Sequence, residues 1–232
     1  MFNWLVFINF VSLNEIESKM KKRLLTDNGI FIVAAASLLL LSCEKDEEVK
    51  PQAEVPTAPK AIVADQFKTD ASGWTIVGDA QGGFVAASYS PDGGVTDGHI
   101  FAKDDVLGGY WYFAAPDTYK GNKTSYYGAT LNYSIYQECA MSDQREKEDI
   151  FFKSGSKQVF FLLDSFPKTT WTNYSIKIDT TAAWYTGSIN SKTKASKQDI
   201  MEVLENVTDF WIRGEFEHGP DEGGLDDVEI IK

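Results

Sequence analysis

The chain of 232 residues predicts an all-β fold, an antiparallel β-sandwich of jelly-roll type with one short helix near the C-terminus. Three observations carry that expectation. From residue 61 onward, short apolar or alternating runs recur, dense in β-branched and aromatic side chains. Turn chemistry such as Pro91-Asp92-Gly93-Gly94 and Lys153-Ser154-Gly155-Ser156 separates them. One segment alone switches from period two to helical spacing. Many short strands so punctuated argue for a sandwich rather than a parallel sheet.

Taken in order, the expected strands begin with 62–67 (IVADQF), 74–78 (WTIVG) and 84–88 (FVAAS). Next come 99–103 (HIFAK), the aromatic run 110–114 (YWYFA) and the alternating 130–136 (TLNYSIY). Then follow 150–153, 158–163 and 171–178, the last reading WTNYSIKI. Ser196 is an N-cap with Asp199 three residues on, and Ile200, Val203, Leu204 and Val207 lie at helical spacing behind it. Two final strands, 208–213 and 225–231, flank a Gly- and acid-rich loop. The stretch 182–191 is small and polar and is expected to be a loop.

The N-terminal part has a different texture. Met20-Lys21-Lys22-Arg23 is basic, 30–41 is almost purely apolar, and Leu40-Leu41-Ser42-Cys43 closes it. This order is that of a secretory signal whose apolar run is too short for a mature transmembrane helix. The small residue before a cysteine is the lipobox pattern of bacterial lipoproteins, so residues 20–42 are expected to be removed and Cys43 lipidated. Residues 1–19 form an upstream extension, Met20 being the better initiator, or else an amphipathic leader. Residues 43–60 are acidic, then Pro-rich, and form a tether that cannot bury a core. An acidic patch directly after the cysteine resembles a surface-export signal, which places the chain on the outer membrane facing outward. The other reading is an ordinary linker facing the periplasm. Residues 61–232 are left as one domain.

Composition excludes several functions. The net charge of −12 gives no attraction to phosphate backbones, so nucleic acid is not an expected partner. Cys43 and Cys139 are the only cysteines; with Cys43 lipidated, the fold must hold without a disulfide. The two histidines, His99 and His218, stand in no nucleophile motif. Glu215 and Glu217, two residues apart on one strand face, are too close and parallel to straddle a glycosidic bond. With Asp221 and Glu222 they are expected to form a solvated acidic loop. No enzyme is predicted.

Several segments in order resemble a known family. They are Phe67, Gly73-Trp74, Tyr110 to Pro116, Gly121-Asn122-Lys123, Tyr127-Gly128, Leu131, Tyr133 and Trp171, then Leu204 to Thr208, Ile212-Arg213-Gly214-Glu215-Phe216 and Leu225-Asp226-Asp227-Val228. Together they resemble the laminin B domain, or laminin domain IV, from residue 61 to the C-terminus. That resemblance implies a galactose-binding-like jelly roll and a non-catalytic adhesion or binding module. Its expected ligand is carbohydrate or of extracellular-matrix type, including an extracellular protein. The alternative is a structural or interaction subunit of a cell-envelope assembly.

Particular residues follow. Period two puts Asp226 on the face of Val228 and Ile230, where a carboxylate needs a partner. In related modules such an acid helps hold a structural Ca²⁺ near the first strand, which makes Asp226 and Asp65 metal candidates; Lys68 stands where those modules commonly have Glu. The competing reading is a hydrogen-bonded Asp closing a turn. Arg213 and Glu215 are expected to be structural, Arg213 pairing with Glu215 or Asp227. Sugars stack on exposed rings, so Trp184, Tyr185, Tyr110 and Tyr112 are the candidate ligand-binding residues. Trp184-Tyr185 is taken as the exposed pair; alternation leaves open which of the rings in 110–113 face outward.

Overall fold

Alternating side chains, one face apolar and the other polar, sort the strands of this chain into two antiparallel sheets. The computed structural model describes residues 59–232; the signal segment, Cys43 and nearly all of the tether lie outside the described residues. In chain order the strands begin with β1 (Ala61–Asp65), β2 (Thr75–Val77), β3 (Val85–Ala86), β4 (Ser88–Ser90) and β5 (His99–Asp104). They continue with β6 (Tyr112–Ala114), β7 (Thr130–Glu138), β8 (Ile150–Ser154), β9 (Lys157–Phe161) and β10 (Thr172–Lys177). After β11 (Trp184–Thr186) and β12 (Thr193–Lys194) come the helix α1 (Lys197–Leu204), β13 (Asp209–Arg213) and β14 (Asp221–Ile231). The first sheet runs β10-β7-β14-β5-β4, with β1 also paired to β14. The second runs β12-β11-β9-β8-β13-β6-β2-β3. The fold is the predicted jelly-roll sandwich with one short helix.

Its core is aromatic. Phe210 and Phe152 face each other across the β13–β8 ladder and stack at 4.6 Å. Trp74 meets Tyr119 edge-on at 5.4 Å and Phe210 at 6.1 Å. Each such ring contributes about 1.5–3 kcal/mol by leaving water. The helix forms where its cap predicts: Ser196 Oγ accepts from the Asp199 N–H while the Asp199 carboxylate accepts from the Ser196 N–H. Ile200, Val203 and Leu204 are buried beneath it, packed toward β8 and β9.

Three expectations change. The 84–88 run divides at buried Ala87, so that β3 joins one sheet and β4 the other. The 182–191 stretch contains β11, which pairs with β9 and β12. Its ladder comes from backbone partners that lie outside the stretch, which its own polarity does not report. The acid-rich loop is absorbed into β14, which starts at Asp221 opposite Asp104. Glu215, Glu217 and Asp221 are accordingly buried rather than solvated.

Candidate functional site

The outward face of the first sheet carries a polar cleft. Period two turns Leu131, Tyr133 and Ile135 of β7 inward and leaves Asn132, Ser134 and Tyr136 outward. β10 adds Asn173 and Ser175, and β14 adds Glu229. Two cross-strand bonds order the floor: Asn132 Nδ2 donates to Glu229 Oε1 at 2.9 Å, and Ser134 Oγ donates to Asn173 Oδ1 at 2.9 Å. Gln66, Tyr174 and Asp227 help line the cleft, whose volume is about 380 Å³. Burial raises the Asp227 carboxyl above its ordinary pKa, with Glu229 adding repulsion.

Aromatic rings continue this face beyond the cleft. Tyr136 meets Trp171 edge-on at 4.8 Å, and His99 meets Trp171 at 5.4 Å. Together with Gly93 and Thr170 they line a second hollow of about 230 Å³. Trp171 is held in place by its indole N–H, which donates to the Gly93 carbonyl at 3.0 Å. The Tyr136 ring lies where a side chain at 224 would stand: a Cβ added to Gly224 would come within 2.0 Å of it. Its hydroxyl donates to Glu222 Oε1 at 3.0 Å, and Lys103 Nζ holds the other oxygen of that carboxylate at 2.6 Å. Burial lowers the His99 pKa from its ordinary value. The face thus offers rings for C–H stacking beside amides, hydroxyls and carboxylates for hydroxyl recognition.

The residues picked from sequence lie elsewhere. Trp184 is only 1% exposed; its ring packs on Phe152 and Phe161, and its indole N–H donates to the Lys177 carbonyl at 2.7 Å. It offers no ring face to a ligand, which corrects its choice as an exposed residue. Tyr112 is also buried, against Phe151 and Trp211 on the outward side of the second sheet. Within 110–113, Trp111 and Phe113 are the pair facing the main core. Tyr110 is half-buried over the Arg213 guanidinium, and Tyr185 is half-buried beside Phe160.

Arg213 is fully buried, and its partner is Asp149 rather than Glu215's carboxylate or Asp227: Nη1 lies 3.1 Å from Asp149 Oδ1. The remaining donors reach the carbonyls of Glu215 and Arg145. Asp149 stands just before β8, sixty-four positions away in sequence, so no local pattern announced it. Glu217 accepts from both the N–H and the Oγ of Ser142 at 2.9 Å.

At Asp226 a β-bulge resets the alternation. Leu225 and Val228, three residues apart, are both in the core, and Asp227 has φ +50. Asp226 therefore does not follow the face of Val228 and Ile230 by simple counting. Its Oδ2 accepts from the Val95 N–H and its Oδ1 from the Asp227 N–H, both at 2.7 Å. That is the geometry of an acid closing a turn. Burial raises its pKa to about 6 against those bonds. Asp65 accepts the Trp74 indole N–H at 2.8 Å.

The matching family model, Laminin B (Domain IV), covers residues 112–231, more than half of the chain. The chain belongs to the laminin B (domain IV) family. Among solved structures it is similar to the L4b domain of human laminin alpha-2, at 13% identity and a TM-score of 0.56. That match covers 73% of this chain and 96% of the other. It is also similar to a family 11 carbohydrate-binding module of a cellulosomal cellulase of Clostridium thermocellum, at 13% identity and a TM-score of 0.48, covering 75% and 94%. No curated protein sequence matches it. The laminin comparison establishes the sandwich of this laminin B domain.

The laminin B domain's outward groups at Asn132, Ser134, Tyr136 and Asn173 were missed from sequence. Their signal is present nonetheless: polar residues alternate with apolar ones along 130–136 and 171–178, with an aromatic in the polar register.

Proposed function

We propose that this laminin B domain is a non-catalytic module, anchored through Cys43 at the cell surface, that binds carbohydrate on the outward face of its first sheet. The observation that carries the reading is the juxtaposition of the Trp171 and Tyr136 rings with Asn132, Ser134, Asn173 and Glu229. A pyranose presents C–H faces to rings and hydroxyls to amides and carboxylates, and ring stacking supplies desolvated contact area. Family membership supports a binding role. The basic start, apolar run and Ser42-Cys43 support the lipid anchor.

Affinity electrophoresis of the full chain against soluble polysaccharides tests this. Retention by at least one polysaccharide is expected, lost on Trp171→Ala with an unchanged melting midpoint. A chain retarded by none, or retarded equally after that substitution, sinks the cleft as a glycan site. For the anchor, Cys43→Ser should move the protein from the detergent phase to the aqueous phase.

One observation favours a protein partner instead. Phe84 is 85% exposed and Leu107 is 76% exposed, both in connections of the sandwich. Loss of co-purifying envelope proteins on substituting both by Ser, with polysaccharide retention absent throughout, would decide for that second reading.

A further inference from the structure

Where β5 ends and β14 begins, four carboxylates converge in the interior. Asp104 continues the inward register of Ile100 and Ala102, and Asp221 that of Gly223 and Leu225; the two face each other across the β5–β14 ladder. From the second sheet, Asp79 follows β2 and Glu215 follows β13. The ligand oxygens of Asp79, Asp104 and Glu215 all lie within 4.8 Å of one another. Asp221 joins them electrostatically, since it, Asp79 and Asp104 each repel Glu215.

A second observation separates this cluster from ordinary surface acids. Asp104 and Glu215 are 1% exposed and Asp221 is 7% exposed. Yet Asp104 Oδ2, Glu215 Oε2, Asp221 Oδ2 and Asp79 Oδ1 are buried with no hydrogen-bond partner. An orphaned buried carboxylate oxygen is costly, and four together compound the cost by repulsion. The protein also holds these acids from behind. Asp104 Oδ1 accepts the Val106 N–H at 2.9 Å, and Asp221 Oδ1 accepts the Trp111 indole N–H at 3.1 Å. In each pair, one oxygen is fixed by the protein and the other is presented inward. Backbone shape makes room as well: a Cβ on Gly109 would fall 1.8 Å from Asp79 Oδ2. Arg213, the nearby buried cation, has its charge opposed by Asp149.

We propose that Asp79, Asp104, Glu215 and Asp221 form a binding site for one Ca²⁺ ion that clamps the two sheets together at this end of the sandwich. The donor set is all oxygen and carboxylate-rich, which suits a hard cation. The four unpartnered oxygens supply the anionic part of the shell, and further carboxylate or carbonyl oxygens or waters would complete the six to eight ligands that Ca²⁺ takes. Mg²⁺ dehydrates reluctantly and prefers one or two carboxylates with several waters, a poor match to a set of four carboxylates. No His or Cys belongs to the group, which disfavours zinc. This site is separate from Asp226, which lies beyond the other end of the β5–β14 ladder. Burial first and mutual repulsion second push Glu215 to about 8 and Asp221 to about 7, the mark of anions lacking a countercharge.

The test uses the full chain stripped with EDTA. Titration with Ca²⁺ should raise the melting midpoint. Tb³⁺, a spectroscopic stand-in, should show emission sensitised by Trp111, because its indole N–H touches a ligand residue; Ca²⁺ should then displace it. Glu215→Gln and Asp79→Asn should each weaken Ca²⁺ binding by at least about tenfold, equivalent to 1.4 kcal/mol. Neither creates an unpaired charge, so both should fold in EDTA, as circular dichroism will report. Asp226→Asn should retain the response. An EDTA-stripped wild type with no Ca²⁺-dependent midpoint and no Tb³⁺ emission overturns the proposal. So does a response kept in both cluster variants and lost in Asp226→Asn.

Discussion

Arg213 and Glu215 are two residues apart, both are buried, and both are ionisable, yet the chain handles them in opposite ways. Around Arg213 it supplies the Asp149 carboxylate and two carbonyls, so the guanidinium is matched from within. Around Glu215 it supplies three more acids and leaves four oxygens unpartnered. The first arrangement is complete in the folded chain. The second is balanced only by something from outside, a proton or a metal ion. Buried charge is therefore informative about function only when its partners have been counted.

The largest effect expected from breaking this contrast is at the matched site. Asp149→Asn leaves the Arg213 guanidinium uncompensated and should cost about 3–5 kcal/mol in urea unfolding followed by tryptophan fluorescence. Pairing it with Arg213→Met should recover much of that loss; a double variant as unstable as the single one would show that the pair is not the unit. Ca²⁺ comes next. At one hundred times its Kd it should stabilise the wild type by about 2.7 kcal/mol, and Glu215→Gln should cut the gain to about 1.4 kcal/mol or less while being no less stable than wild type in EDTA. Asp226→Asn should cost only about 1 kcal/mol at the turn, since one of its two N–H acceptors survives. Equal costs for Asp149→Asn and Asp226→Asn would erase the distinction between a buried ion pair and a capped turn.

The smallest effect is a pH slope in EDTA. Glu215 and Asp221, at about 8 and about 7, bind protons more tightly folded than unfolded. Such groups add stability at low pH that disappears as pH rises through the folded values. The midpoint should thus fall between about pH 6.5 and about pH 8.5. Asp149 and Asp226, both at about 6, have largely titrated below that window. Glu215→Gln should flatten the fall, and an unchanged slope would argue against a repelling cluster.

Much of the fold was legible because its signals are local. The alternation along 130–136 and 171–178 marked β7 and β10, and Ser196 with Asp199 marked the start of α1. Other signals were outweighed by partners far away. Trp184 sits among small polar residues, but Phe152 and Phe161 cover it. The outward ring of Tyr136 was readable in principle, since it shares a register with Asn132 and Ser134. Asp104 was readable too, as an acid continuing the apolar register of Ile100 and Ala102. What no local reading held was that Asp79, Asp104, Glu215 and Asp221 meet.

By itself the sequence determined the strand-rich class, the capped helix, the family resemblance and the expectation of a lipid anchor at Cys43. Each depends on order, spacing or alternation within a short stretch, where side chains a few residues apart report a common environment. Only the tertiary structure decided which carboxylates have countercharges, which rings are covered and which polar groups share a cleft. Those properties belong to pairs of segments on different strands, brought together by β-ladders whose partners can be more than a hundred positions apart.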